Sequence, residues 1–165
     1  MDALRLVRHL ATSHWLVRRR FPASALAAIE AAIAAGEQRH AAEIRFAVEP
    51  ALHPRALFRG LTPRERAIGL FGELRVWDTE HNNGVLIYLL LADRAVEITA
   101  DRGIAAVVAP EEWQRICRDM EERLGGGRYE EAVLAGIRAV SDLLARHFPP
   151  RGPHRDEQPN RPVVL

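Results

Sequence analysis

An acidic, amide-rich loop stands immediately before the most apolar segment of the sequence. The loop covers residues 78–84 (DTEHNNG), and an aspartate follows the next apolar segment at position 101. Carboxylate and amide oxygens are hard ligands, so several of them together suit calcium or magnesium better than zinc or copper. The candidate metal ligands are Asp78, Glu80, Asn82, Asn83 and Asp101.

The same loop has a second interpretation as a tight turn. Asp, Asn and Gly are favoured in any turn that precedes a strand. The spacing is not that of an EF-hand, because the glutamate expected at the twelfth position is missing. Spacing alone therefore favours the turn over a metal site.

His81 is the residue of the loop that could carry catalysis. Beside carboxylates it could act as a general base near neutral pH, or it could simply face solvent. The sequence contains no HExxH, no Walker motif and no Ser/His/Asp order. Catalytic residues are therefore left unassigned, and whether the protein is an enzyme stays open.

Two predicted strands bring the loop and Asp101 together. Residues 85–91 form a continuous apolar run, typical of a strand covered on both faces, and residues 95–101 alternate between apolar and polar. The connection between them is so short that the strands must be antiparallel neighbours. The start of the first strand and the end of the second then lie at one edge of the sheet.

A βαβ unit precedes this hairpin. Residues 43–49 alternate as a strand, residues 50–61 form a loop, and the sequence from Thr62 to Glu65 is a capping box that opens a helix. The strands on either side of that helix should be parallel, with a right-handed crossover. Glu43 would then lie at the same edge as the acidic loop.

The first helix is predicted over residues 3–20, with Leu6, Leu10 and Val17 facing the core and its arginine-rich end in solvent. Contact of this basic helix with a membrane surface or an acidic partner is the less favoured alternative.

Further helices and a tail complete the predicted organisation. One helix ends at Gly36, one begins at Pro110, and one covers about residues 129–147. We divide the chain into N-terminal helices over residues 1–38, an α/β domain over 39–148 and a disordered, proline-rich tail over 149–165.

Size and composition exclude several classes of protein. The 165 residues suit one domain, 48% are hydrophobic, and the net charge is +1, which gives no bias toward nucleic acid. The single cysteine excludes a disulfide framework and a cysteine-based zinc cluster. No apolar run is long enough to span a bilayer, and the N-terminus lacks the pattern of a secretion signal. We therefore expect a cytoplasmic location.

Several spaced motifs, in the same order, resemble the TPM domain, a family named after proteins of the thylakoid lumen and their bacterial relatives. The resemblance covers about residues 40–147. Its motifs are Asn83-Gly84-Val85-Leu86, Asp93-Arg94, Asp101-Arg102-Gly103, Gly127-Arg128-Tyr129 and Gly136-Ile137. The chain departs from the family pattern at Asp101 and Ala132, where glycine is usual. It also lacks the usual N-terminal opening, export signal and membrane anchor, as in a soluble intracellular branch.

The resemblance implies a three-layer α/β/α sandwich with a mixed sheet of about four strands. It also implies divalent-cation sites, with calcium the usual proposal, and a phosphatase-like label. In a phosphatase, Asp78 or Asp101 would be the candidate phosphoryl acceptor.

We therefore expect a module that binds calcium or magnesium at the acidic edge and serves in protein interaction or assembly with an unidentified partner. A metal-dependent phosphatase at the same edge is the alternative. A third hypothesis is an adaptor that acts through the basic N-terminal helix.

Overall fold

Four strands form one mixed sheet in a computed structural model that describes residues 3–153 and 155–165. The strands are β1 (Glu43–Glu49), β2 (Gly84–Leu90), β3 (Ala95–Ala100) and β4 (Val163–Val164). Their order across the sheet is β3-β2-β1-β4. β1 pairs in parallel with β2, and β2 pairs antiparallel with β3. The predicted hairpin and the parallel pair are both confirmed.

Helices cover both faces of the sheet. They are α1 (Ala3–Ala11), α2 (His14–Arg20), α3 (Ala23–Glu37), α4 (Pro54–Phe58), α5 (Pro63–Glu73), α6 (Arg102–Ala105), α7 (Pro110–Gly125) and α8 (Tyr129–His147). The capping box is present, because Thr62 Oγ1 accepts a hydrogen bond from the Glu65 backbone N–H and Glu65 Oε2 accepts one from the Thr62 N–H. α4 lies in the predicted loop over residues 50–61, and α6 was not predicted.

Alternation along the central strands divides the interior into two cores. Ile44, Phe46 and Val48 of β1 join the core formed with α3, α7 and α8. On the opposite face, β2 contributes to the core beneath α4 and α5 through Leu86, Tyr88 and Leu90. All seven residues of β2 are buried, as its unbroken apolar sequence predicts. The predicted α/β/α sandwich is confirmed.

The N-terminal segment differs from its prediction. Residues 3–20 form two helices, α1 and α2, where one helix was expected. Thr12 donates its hydroxyl proton to the Arg8 carbonyl, and Ser13 adopts an extended backbone whose carbonyl accepts the first hydrogen bonds of α2. Such local hydrogen bonds compete with helix propagation. Leu10, predicted to face the core, is 67% exposed, whereas Val17 is buried as predicted.

α1 is attached to the sheet by polar side chains. His9 is buried, its Nδ1 accepts a hydrogen bond from the Leu52 N–H, and its Nε2 lies 3.1 Å from Asp93 Oδ1. Arg5 donates to both oxygens of Asp93. Burial alone raises the pKa of Asp93, but the hydrogen bonds from Arg5 and His9 outweigh that effect and hold it below its usual range. The β2–β3 turn is thereby tied to the N-terminal helix.

Within the described residues, no helix is both long and apolar enough to cross a lipid bilayer.

The C-terminal tail also differs from its prediction. Residues 149–165 were expected to be disordered, yet β4 pairs in parallel with β1 and the Leu165 N–H donates to the Val48 carbonyl. Gln158 is buried; its backbone N–H donates to Glu43 Oε2, and its side-chain amide donates to the carbonyl of Arg75. The open edge of β1 supplies backbone partners that compensate for the tail's few apolar residues.

Removing residues 155–165 should therefore destabilise the protein. We expect the free energy of unfolding to fall by about 2 kcal/mol or more, since backbone hydrogen bonds to β1 and to Glu43 are lost. Chemical denaturation measures this difference. Gln158→Ala should cause part of this decrease in the free energy of unfolding. Arg161→Ala, at an exposed position of the same tail, should cause no decrease. An unchanged transition in the truncated chain would contradict the role of the tail.

Candidate functional site

The start of β2 and the end of β3 meet at one edge of the sheet, where the acidic loop lies. The Asp101 N–H donates to the Gly84 carbonyl (2.9 Å), and the Gly103 N–H donates to the Asn82 carbonyl (3.1 Å). The loop over residues 78–83 is therefore bonded directly to the segment that leads from β3 into α6. The hairpin brings these two segments together as its connectivity requires.

Two glycines permit close backbone contacts at this edge. A Cβ at Gly84 would lie 2.0 Å from the Val76 carbonyl oxygen, and a Cβ at Gly103 would lie 2.6 Å from that of Asn82 and 2.9 Å from that of His81. Neither position needs an unusual backbone angle; both need the absence of a side chain. Gly103 belongs to the Asp101-Arg102-Gly103 motif, whose final glycine this contact explains.

The carboxylates of the loop do not share a common partner among the described contacts. Asp78 Oδ2 accepts a hydrogen bond from Arg75 (2.8 Å), and about half of its side chain is exposed. Glu80 is exposed, and its backbone N–H donates to Glu157 Oε2 of the tail. Among residues 3–153 and 155–165, no three His, Cys, Asp or Glu side chains form a group that could hold a metal ion.

The two asparagines serve the loop itself. Asn82 has φ of 51°, a left-handed conformation that asparagine tolerates, and its Oδ1 accepts a hydrogen bond from Arg102 Nε. Asn83 is buried; its side-chain amide donates to the Ala41 carbonyl, and its backbone N–H donates to Thr79 Oγ1. Both residues therefore do what a tight turn requires.

Asp101 caps a helix with one of its two oxygens. Its Oδ1 accepts a hydrogen bond from the Arg102 N–H at 2.7 Å, at the start of α6. Its Oδ2 and Oδ1 of Asn83 are buried and accept no hydrogen bond from the described residues. A buried oxygen without a donor is costly, and a bound hard cation would satisfy it. These atoms fit calcium or magnesium in chemistry, although the carboxylates around them are not gathered.

A cavity of about 510 Å³ adjoins this edge. Its lining includes Glu80, His81 and Asn83 of the loop, together with residues of the tail. Asp78 and Asp101 are not among its lining residues. The other lining residues with charged or titratable side chains are His40, Glu43, Arg151, Arg155, Asp156 and Glu157. The residues from the tail could not be found from sequence, because the tail has the composition of a disordered segment.

Glu37, at the end of α3, is a buried acid that was not predicted as a site residue. Its Oε1 accepts a hydrogen bond from the Ile44 N–H of β1 (2.8 Å). Burial raises its pKa to about 8, with further increases from Glu43 and Asp156 and opposing hydrogen bonds from Ile44 and Asn160. Glu37 follows Ile33 at helical spacing on the buried stripe of α3, which is the signal that could have indicated it.

Glu37 should make stability fall as pH rises. The folded state binds a proton more tightly than the unfolded chain, so this contribution is complete below pH 4.5 and is lost as pH rises through about 8. In Glu37→Gln that decline should shrink by on the order of a few kcal/mol. Denaturation at several pH values measures the slope. Glu30→Gln, at an exposed position of the same helix, is the control, and identical slopes in all three proteins would contradict the assignment.

Gly103→Ala should separate the loop from the start of α6. The added methyl group meets backbone oxygens, so we expect a loss of about 1–3 kcal/mol in the free energy of unfolding. Gly72→Ala is the matched control, because a Cβ there meets nothing within 4 Å in an exposed part of α5. It should be neutral or stabilising by up to about 1 kcal/mol. Equal effects of the two substitutions would rule out the close contact.

The fold is an α/β/α sandwich, and its four-stranded mixed sheet carries a polar loop at the start of the β2–β3 hairpin. The TPM domain model matches residues 20–143. This chain belongs to the TPM domain family. The match begins within α2, so it includes α3 and crosses the predicted boundary at residue 38.

Solved structures share this fold. The NMR structure of the BA42 protein from the psychrophilic bacterium Bizionia argentinensis is 28% identical, with a TM-score of 0.76, over 88% of this chain and 95% of that one. The N-terminal domain of a protein from P. gingivalis is 20% identical, with a TM-score of 0.59, over 76% of each chain; it supports the fold alone. No curated protein matches this sequence.

Proposed function

We propose that this protein is a divalent-cation-dependent interaction module, with the cation bound at the edge formed by the acidic loop and Asp101. The observation that carries the proposal is the pair of buried oxygens, Asp101 Oδ2 and Asn83 Oδ1, that accept no hydrogen bond within the described chain. Both are hard ligands of the kind that calcium and magnesium prefer.

The remaining ligands would be recruited when the cation binds. Among the described residues, the partner of the Asp78 carboxylate is Arg75, three residues earlier, and both side chains are more than half exposed. An ion pair of this kind contributes about 0–1 kcal/mol, so a doubly charged cation can displace the arginine. Glu80 is exposed and free to turn by a change of rotamer. Because these side chains must rearrange, the affinity for the cation would be lower than that of a preformed site.

We propose that the cation-bound protein binds a protein partner. A cation at an exposed edge keeps coordination positions open for oxygens of another molecule. Trp77 precedes the loop and is 48% exposed, with the Arg75 guanidinium 5.6 Å from its ring centroid. An exposed tryptophan beside an arginine is the composition that dominates the energy of protein interfaces.

Calcium should raise the melting temperature of the wild-type protein relative to chelator. At a calcium concentration a hundred times the dissociation constant, the stabilisation is about 2.7 kcal/mol. Asp101→Asn should abolish this response, because asparagine keeps the helix cap but lacks the charge. Asp142→Asn removes an exposed carboxylate from α8 and should respond as the wild type does. Thermal melts with calcium, magnesium and chelator measure all three proteins.

The absence of any response in the wild type would contradict cation binding and leave the loop as a turn. A phosphate-ester assay with the same proteins and metals distinguishes the interaction module from a phosphatase. Metal-dependent turnover that is lost in Asp78→Ala or Asp101→Asn would show that the protein is a phosphatase that acts at the same edge.

A further inference from the structure

α1 turns its apolar side toward solvent. At 100° per residue, Leu4, Val7 and Leu10 share one side of this helix, and their exposures are 64%, 59% and 67%. The opposite side carries Arg5 and His9, which hold the helix on the domain through Asp93 and the Leu52 N–H. A surface helix of a globular protein normally has the reverse orientation. The anchor on Asp93 keeps these apolar side chains outside the core.

α2 adds an exposed aromatic ring and positive charge. Trp15 is 64% exposed, and the guanidinium of Arg19 lies 5.4 Å from its ring centroid. Arg18 is exposed as well, while Arg20 stacks on Tyr129 at 4.6 Å and thereby fixes the end of α2. Residues 3–20 contain five arginines and neither aspartate nor glutamate. This positive charge is concentrated in a chain whose net charge is only +1.

We propose that α1 and α2 dock the protein on the surface of an anionic lipid membrane. Leu4, Val7 and Leu10 would enter the boundary between headgroups and acyl chains, with the axis of α1 in the plane of the membrane. A short helix with leucines on one side and arginines nearby is suited to this position. The amphipathic ring of Trp15 suits the same depth, and each arginine near the surface adds electrostatic attraction to the anionic headgroups.

Charge complementarity selects anionic lipid over a second copy of this chain. In a symmetric dimer through α1, the same patch faces itself, so the arginines of the two copies would approach one another. A nine-residue helix also offers little of the roughly 800 Å² per partner that a stable protein interface buries. An anionic bilayer has the opposite charge and accepts a narrow apolar stripe.

Docking requires no rearrangement of the domain. The apolar side of α1 already faces outward, and the contacts of Arg5 and His9 with Asp93 lie on its other side. Binding should therefore leave the fold and the acidic edge unchanged. It should also proceed in chelator, so its outcome is independent of cation binding.

Co-sedimentation of the full chain with lipid vesicles, in chelator, tests the proposal. Wild-type protein should pellet with vesicles of phosphatidylcholine mixed with phosphatidylserine, and much less with phosphatidylcholine alone. Replacing Leu4, Val7 and Leu10 together by Gln should lower the partition coefficient by about tenfold or more. Arg18→Gln with Arg19→Gln should lower it on anionic vesicles only, and salt should weaken binding of the wild type.

Ile68→Gln is the matched control, because Ile68 is 52% exposed on α5 and should not affect vesicle binding. All substituted side chains are exposed, and unchanged melting temperatures should verify that each variant folds. The proposal is overturned if wild-type protein remains in the supernatant with anionic vesicles, or if the triple variant binds as well as the wild type. Equal binding to both kinds of vesicle would overturn the role of charge. A dimer that the triple variant abolishes, without vesicle binding, would assign the surface to a second copy.

Discussion

β2 is buried on both faces, and the other elements of the domain are arranged around it. All seven residues from Gly84 to Leu90 are buried, so the strand needs a helical layer on each side and a hydrogen-bonded strand on each edge. β3 returns antiparallel along one edge, and β1 lies parallel along the other. The acidic loop is held at the edge of the sheet because it is the entry to this strand.

Local sequence signals were sufficient to predict most of the fold. The bounds of β1 and α8 and the start of α5 follow from alternation, helical periodicity and a capping box, and each of these is set by neighbours in sequence. The division of residues 3–20 and the docking of the tail could not be derived in this way. Hydrophobic periodicity favoured an inward Leu10, but the distant carboxylate of Asp93 binds the polar side of α1 instead. The tail is ordered by the open edge of β1, which composition does not encode.

The same distinction between predictable and unpredictable features applies to the candidate site. Strand connectivity predicted that the loop and Asp101 would be adjacent, and the backbone hydrogen bonds between Asn82 and Gly103 and between Asp101 and Gly84 agree. The spacing of residues in the sequence does not determine the directions of their side chains. Asp78 is engaged by Arg75, and Asn82 by Arg102, each through a rotamer chosen among several on an exposed surface. The partners of Glu80 and Glu43 in the tail depend on a segment more than seventy residues away in sequence.

The contacts of Glu157 and Gln158 make the tail and the loop parts of one thermodynamic system. Glu157 accepts a hydrogen bond from the backbone of Glu80, and Gln158 donates to Glu43 and to the carbonyls of Arg75 and Asp78 on either side of Trp77. A ligand whose binding alters these hydrogen bonds changes the free energy of docking the tail, and by reciprocity the docked tail changes the affinity for that ligand by the same factor. For such a ligand, the C-terminal segment would be an intramolecular effector of the polar edge.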